Sequence, residues 1–190
     1  MSSTTTTSGF STNTLEAVYS AYNNNLSYSS FTFINPSTGL QQIVPLVSFI
    51  GNPNYSGLNV DPSLLPVIYN GIISSLNNFI ADVSNNVIPN YNLRTIAKFR
   101  IVVTIADGTV FFDSSKGVNN TYANFLSKSI NENHGTRHYI QESFHSKSGI
   151  GYESKWSSST QQVDTYYSVR LGQSPQGILG VLAFSYSNAY

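Results

Sequence analysis

Cysteine is absent from this 190-residue chain, and charge is nearly so. Without cysteine there is no disulfide framework, no thiolate metal site and no thiol nucleophile. Only 9% of the residues are Asp, Glu, Lys or Arg, where about 25% is usual in soluble domains. Nine basic residues balance nine acidic ones. No basic run occurs, so neither nucleic-acid binding by phosphate neutralisation nor polybasic attachment to a membrane surface is expected. The opening MSSTTTTSGF holds neither a basic nor an apolar segment, so no secretory signal is expected. No uninterrupted apolar run approaches the roughly 20 residues of a membrane helix, and no transmembrane segment is expected.

What the chain has instead is Ser, Thr, Asn and Gln, with 13 tyrosines and 11 phenylalanines beside a single Trp and a single Met. A hydrophobic content of 40% is enough to fill a core. Solubility then falls to hydroxyls and amides. Tyrosine offers a large contact area at low entropic cost, so a neutral Tyr/Asn/Ser surface suits packing against neighbours.

The chain divides in two. Residues 1–60 contain one charged residue, Glu16, and residues 61–190 contain all the others. The first part opens on a Ser/Thr run, and TLEAVYSAYNNNL then has the spacing of a short helix. SYSSFTFINPSTGLQQIVPLVSFIGN follows, alternating short apolar runs with Pro, Gly and Asn. It predicts an extended arm with a hairpin across Pro36–Gly39. The arm's apolar residues need burial, on the domain that follows or on another molecule. Phe31, Phe33, Ile43, Val44, Val47 and Phe49 are the candidate docking residues.

The second part reads more directly. Asp61-Pro62-Ser63 is a helix start, and Leu65, Ile68, Ile72, Leu76, Phe79, Ile80 and Val83 recur every three or four residues. KFRIVVTIADGTVFFDSS, residues 98–115, predicts a hairpin. A two-residue Asp107-Gly108 turn with positive φ at both positions pairs Ile105 with Val110 and Val103 with Phe112. NNTYANFLSKSINEN predicts a helix capped by Asn119 or Asn120, and RHYIQESFHSK a second short one. Alternation through Tyr152–Trp156, Val163–Leu171 and Ile178–Tyr186 predicts three closing strands.

Long helix, hairpin, short helices and three-strand meander, in that order, resemble a single Cache domain, the PAS-like extracellular sensor module. ADGTVFFDSS in the hairpin and SPQGILGVLAFSYS, residues 174–187, carry the resemblance, which spans about 61–190. It implies an α+β fold with a central antiparallel five-stranded sheet, helices on one face and a small-ligand pocket between them. Two family features are missing: membrane helices beside the domain, and the Tyr/Arg/Trp/Asp pattern of amino-acid-binding members. The composition also resembles small virion proteins of large DNA viruses, which are made in the cytoplasm and assembled into particles.

Candidate chemistry is sparse. His134, His138, Glu142 and His145 would share one face of a continuous helix and offer zinc donors, but Gly135 interrupts it and no metal site is expected. Ser is abundant, yet no nucleophile elbow occurs, and Asp107 and Asp113 have structural explanations, the latter as a cap at the hairpin's end. Pocket residues, if the resemblance holds, are Arg137, Tyr139, Tyr152, Trp156 and Tyr167, with Arg170 as another cation for a carboxylate. The reading is a non-enzymatic structural or assembly protein, a minor capsid or coat-associated virion component without cofactor. Its arm would dock on neighbouring protein subunits, with homo-oligomers possible in the same way. The alternative is a soluble small-molecule-binding module of Cache/PAS type.

Overall fold

The computed structural model describes residues 30–35, 38–45, 61–82, 85, 98–157, 161–170 and 180–185. The chain is α+β, as its periodicities predict. Strands β1 (Ser30–Ile34) and β2 (Gln41–Pro45) pair antiparallel with each other. Their turn is closed by the Asn35 N–H on Leu40 O and by Gly39 at φ +70°. The predicted arm hairpin is therefore present, and it forms a two-stranded sheet of its own. The helix expected between residues 14 and 26 lies outside the described residues.

Asp61 starts the helix as read from the sequence. Its carboxylate accepts the Ser63 N–H at 3.0 Å, with Pro62 leading a short 3-10 turn into helix α1 (Leu65–Asp82). Leu65, Ile68, Tyr69, Ile72 and Leu76 are buried along one side, the amphipathic stripe expected of a helix on a core. The segment Pro62–Asp82 also meets the length and composition of a membrane-crossing helix. Its internal interruptions are uncharged, so it meets that test without an uninterrupted apolar run, and the core helix of a protein meets the same test. In the structure it is tied to protein: the Tyr69 hydroxyl donates to Phe111 O at 2.7 Å, and its ring stacks on Phe125. Burial raises the Tyr69 hydroxyl well above its ordinary pKa.

Strands β3 (Lys98–Thr104), β4 (Val110–Asp113), β5 (Ile150–Ser157), β6 (Gln162–Val169) and β7 (Gly180–Ser185) make one antiparallel sheet in the order β4-β3-β7-β6-β5. The first and last of these strands lie side by side, and β5 forms a margin. Helices α2 (Tyr122–Leu126) and α3 (His138–His145) fall between hairpin and meander.

The β3–β4 hairpin departs from its predicted register. Val103 is opposite Phe112 as expected, but Thr104, not Ile105, is opposite Val110, with an irregularity between the two pairs. Ile105 bonds instead to Thr109 O at 2.9 Å, and Gly108 N–H returns to Ile105 O. The loop thus has three residues, and only Gly108 takes positive φ, at +87°. A three-residue loop with a left-handed glycine is the next commonest hairpin solution after the two-residue turn.

The expected cap of α2 also moves by one residue. Thr121, rather than Asn119 or Asn120, accepts the Asn124 N–H at 3.1 Å. Asn120 is used elsewhere, as described below.

Candidate functional site

Pairing register sorts the sheet into two faces. On one, Arg100, Ala183, Tyr166 and Glu153 fall in a row, and Asp113, Val102, Val181, Ser168 and Gly151 in the next. Helix α3 lies on this face. The Ser168 hydroxyl donates to Tyr139 O at 2.5 Å, and the Tyr139 ring stacks on Tyr166 at 4.8 Å. Gly151 makes this approach possible, since a Cβ there would collide with the Tyr139 carbonyl.

Asp113 anchors the polar end of this face. Its side chain is fully buried and is gripped by Arg100 through two bonds of 3.0 and 2.7 Å. Asn131 donates to the same carboxylate at 2.7 Å, and the Ser115 N–H and hydroxyl at 2.9 and 2.7 Å. The cap read from the sequence is therefore real, and it is also an ion pair. Burial by itself would raise the Asp113 carboxyl. The hydrogen bonds from Arg100 and Ser115, with the Arg100 charge, overcome it and hold the group well below the usual carboxylate range. Asn120 braces the backbone, accepting the Asp113 N–H at 2.9 Å and donating to Asp113 O at 2.8 Å.

His134 lies in the loop before α3, and its N–H donates to Gly108 O at the hairpin tip. The imidazole is fully buried, with neither Nδ1 nor Nε2 hydrogen-bonded. Thr104 and Thr109 likewise bury hydroxyls without a partner. Burial pushes the imidazole down to about 4, helped by the Arg137 and Arg100 charges and opposed by Asp113 and Glu132. Two cations and two anions of a charge-poor chain thus act electrostatically on one neutral ring. Arg137 itself is shared, donating to Glu132 at 2.8 Å and to the Tyr139 hydroxyl at 3.3 Å. Burial raises the Tyr139 hydroxyl, against the pull of Arg137.

The five residues read as a pocket do not gather into one. Arg137 and Tyr139 belong to the face just described. Tyr152 and Tyr167 are directly paired, and alternation puts both, with Trp156, on the opposite face. There Tyr167 is buried, whereas Tyr152 and Trp156 are exposed. A pocket lined by all five would need side chains on both sides of one sheet. Arg170 lies beside Gly149, its guanidinium 3.5 Å from Phe144 O.

The histidine–glutamate face is also divided. Helix α3 begins at His138, so His134 is off the helix, and Glu142 accepts the Tyr152 N–H at 2.6 Å. Among the described residues no group of three or more His, Asp or Glu side chains is placed to hold a metal. Nor is His134 bonded to an acid, and the Asp113 carboxylate is engaged by Arg100.

Sequence reasoning missed Arg100 and the second role of Asp113. The signal was available: pairing Val103 with Phe112 sets Val102 opposite Asp113, and Arg100 is then its diagonal neighbour on the same face.

Of the proposed docking residues, Ile43 is exposed on the arm hairpin, as are Ile34 and Leu40. Register puts Ile43 opposite Thr32 and Ile34 opposite Gln41, so both isoleucines share a face. The side chains of Phe31, Phe33 and Val44 are not among those described, and Val47 and Phe49 lie outside the described residues. Comparisons with protein families, with curated proteins and with solved structures return no match.

Proposed function

We propose that the protein is a non-enzymatic assembly component, a virion coat-associated protein in its most specific form, whose N-terminal arm docks on neighbouring protein subunits. The observation that carries this reading is the arm hairpin. Ile34 and Ile43 stand 69% and 65% exposed on one face of a two-stranded sheet, in a segment whose only charge is Glu16. A lone hairpin is marginal in water, and exposed apolar residues on it gain most by burial in a partner. Neutrality lets copies approach without mutual repulsion. The test is to replace Ile34 and Ile43 together by Asp in the full chain. Assemblies larger than a dimer, and partner complexes held by the arm, should disappear while the far-ultraviolet circular dichroism stays unchanged. Such assemblies surviving would overturn the reading.

A Cache/PAS-like small-molecule-binding module is the second reading. What favours it is the buried imidazole of His134, unpartnered at both ring nitrogens and within the electrostatic reach of Arg100, Arg137 and Asp113, in the loop between the hairpin tip and α3. A polar ligand there would satisfy groups that are otherwise costly to bury. Its test is a native mass spectrum of the full chain. A small-molecule adduct that denaturation releases supports it, and a bare polypeptide mass argues against it.

A further inference from the structure

The margin of the sheet points to a partner. Among the described residues β5 is the outermost strand, and its hydrogen-bonding directions can be read from its neighbours. The Tyr152 N–H turns to Glu142 and the Ile150 N–H to Ser146 and Ser148, away from β6. In an antiparallel ladder these directions alternate, so the backbone groups of Ser154 and Trp156 also face outward. On the side-chain level the strand shows apolar Ile150, Tyr152 and Trp156 on one face, exposed by 37%, 41% and 61%. Glu153 and Lys155 stand on the other.

We propose that β5 pairs antiparallel with β5 of a second copy of this chain, about a two-fold axis through Ser154, to give one continuous sheet. Ser154 then faces Ser154 of the partner and exchanges both backbone hydrogen bonds with it. Tyr152 comes opposite the second copy's Trp156, and Glu153 opposite its Lys155, each twice. The ion pairs fall at the non-hydrogen-bonded positions, where facing Cα atoms are only about 4.5 Å apart. Charge also selects the register. The two neighbouring registers with the same hydrogen-bond pattern centre on Glu153 or on Lys155 and set like charges face to face. A lysine on a margin strand ordinarily deters pairing; here an acid two residues away turns it into a complementary contact. Glu142 holds the Tyr152 N–H in the single copy and yields it to the second copy's Trp156 carbonyl.

The surface is different from that of the arm, so either idea can fail alone. The test uses the full chain with Ile34 and Ile43 replaced by Asp, followed by sedimentation velocity. The parent should be dimeric. Glu153→Lys and Lys155→Glu, each alone, set like charges opposite one another and should weaken dimerisation by about tenfold or more. An equimolar mixture of the two variants restores opposite charges and should recover the dimer as a heterodimer. A monomeric parent, a single variant that dimerises like the parent, or a mixture that stays monomeric overturns the inference. Because the chain lacks cysteine, Ser154→Cys gives an independent readout. Facing Cα atoms at about 5.5 Å fall within disulfide range. Mild oxidation should cross-link this variant far faster than Val118→Cys, a position 91% exposed that follows β4 at the opposite margin of the sheet. Equal rates count against the pairing even if the charge variants misfold.

Discussion

His134 concentrates the cost of burying polar groups in this fold. Its two ring nitrogens lack partners, and a buried imidazole that cannot be solvated is held neutral. The folded value of about 4 lies below the roughly 6.5 of an unfolded histidine. Between those values the unfolded chain binds more protons, so stability is full above about pH 6.5 and falls as pH drops towards 4. The loss is on the order of 3 kcal/mol across that window. Urea unfolding followed from pH 7 to pH 4.5 should show this slope, and His134→Gln should flatten it. Asp113 acts lower on the scale. Its depressed carboxyl contributes stability above the ordinary range near 4 that is lost only as pH falls through its folded value. Asp113→Ala strands Arg100 and should cost about 3 kcal/mol or more at neutral pH, measured by the same unfolding.

At the scale of elements, the sequence was most legible where one short-range rule acted alone. The Asp61-Pro62 start, the stripe of α1 and the alternation of β5 and β6 each depend on neighbours in sequence. The β3–β4 turn was half legible. Asp-Gly marks a hairpin, but loop length was decided by packing of its tip. The Asn133 amide donates to Asp107 O, and His134 N–H to Gly108 O. No local pattern announces those contacts. The brace from Asn120 and Asn131 to Asp113 was illegible for the same reason, and in a chain so rich in Asn nothing distinguished these two. The five candidate pocket residues separate because α3, through Gly151 and Tyr166, covers one face while Tyr152 and Trp156 belong to the other.

Gly151 is the clearest element-scale test. Gly151→Ala pushes the Tyr139 carbonyl off the sheet and should cost about 2 kcal/mol in unfolding, with the α3 amides exchanging faster. Glu142 is the other. It occupies an outward N–H of the margin strand, so Glu142→Ala should shift the sedimentation profile towards dimer rather than away from it.

For the whole molecule, charge is the organising quantity. Residues 1–60 carry one charge and expose Ile34 and Ile43 on the β1–β2 hairpin, while the scarce ions Arg100, Asp113, Glu132 and Arg137 act on the buried His134. Surfaces of this kind bind by shape and apolar contact, with weak dependence on salt. Assembly through the arm should therefore survive a rise to about 0.5 M NaCl, where the Debye length falls to only a few ångström.

The central claim is tested most directly by native mass spectra of the full chain, from its natural source if possible, beside the variant with Ile34 and Ile43 replaced by Asp. The account predicts arm-dependent oligomers or partner complexes for the unaltered protein and, in the variant, nothing larger than the β5-paired dimer. Identical spectra for the two, or a monomer in both carrying a small-molecule adduct, would contradict it.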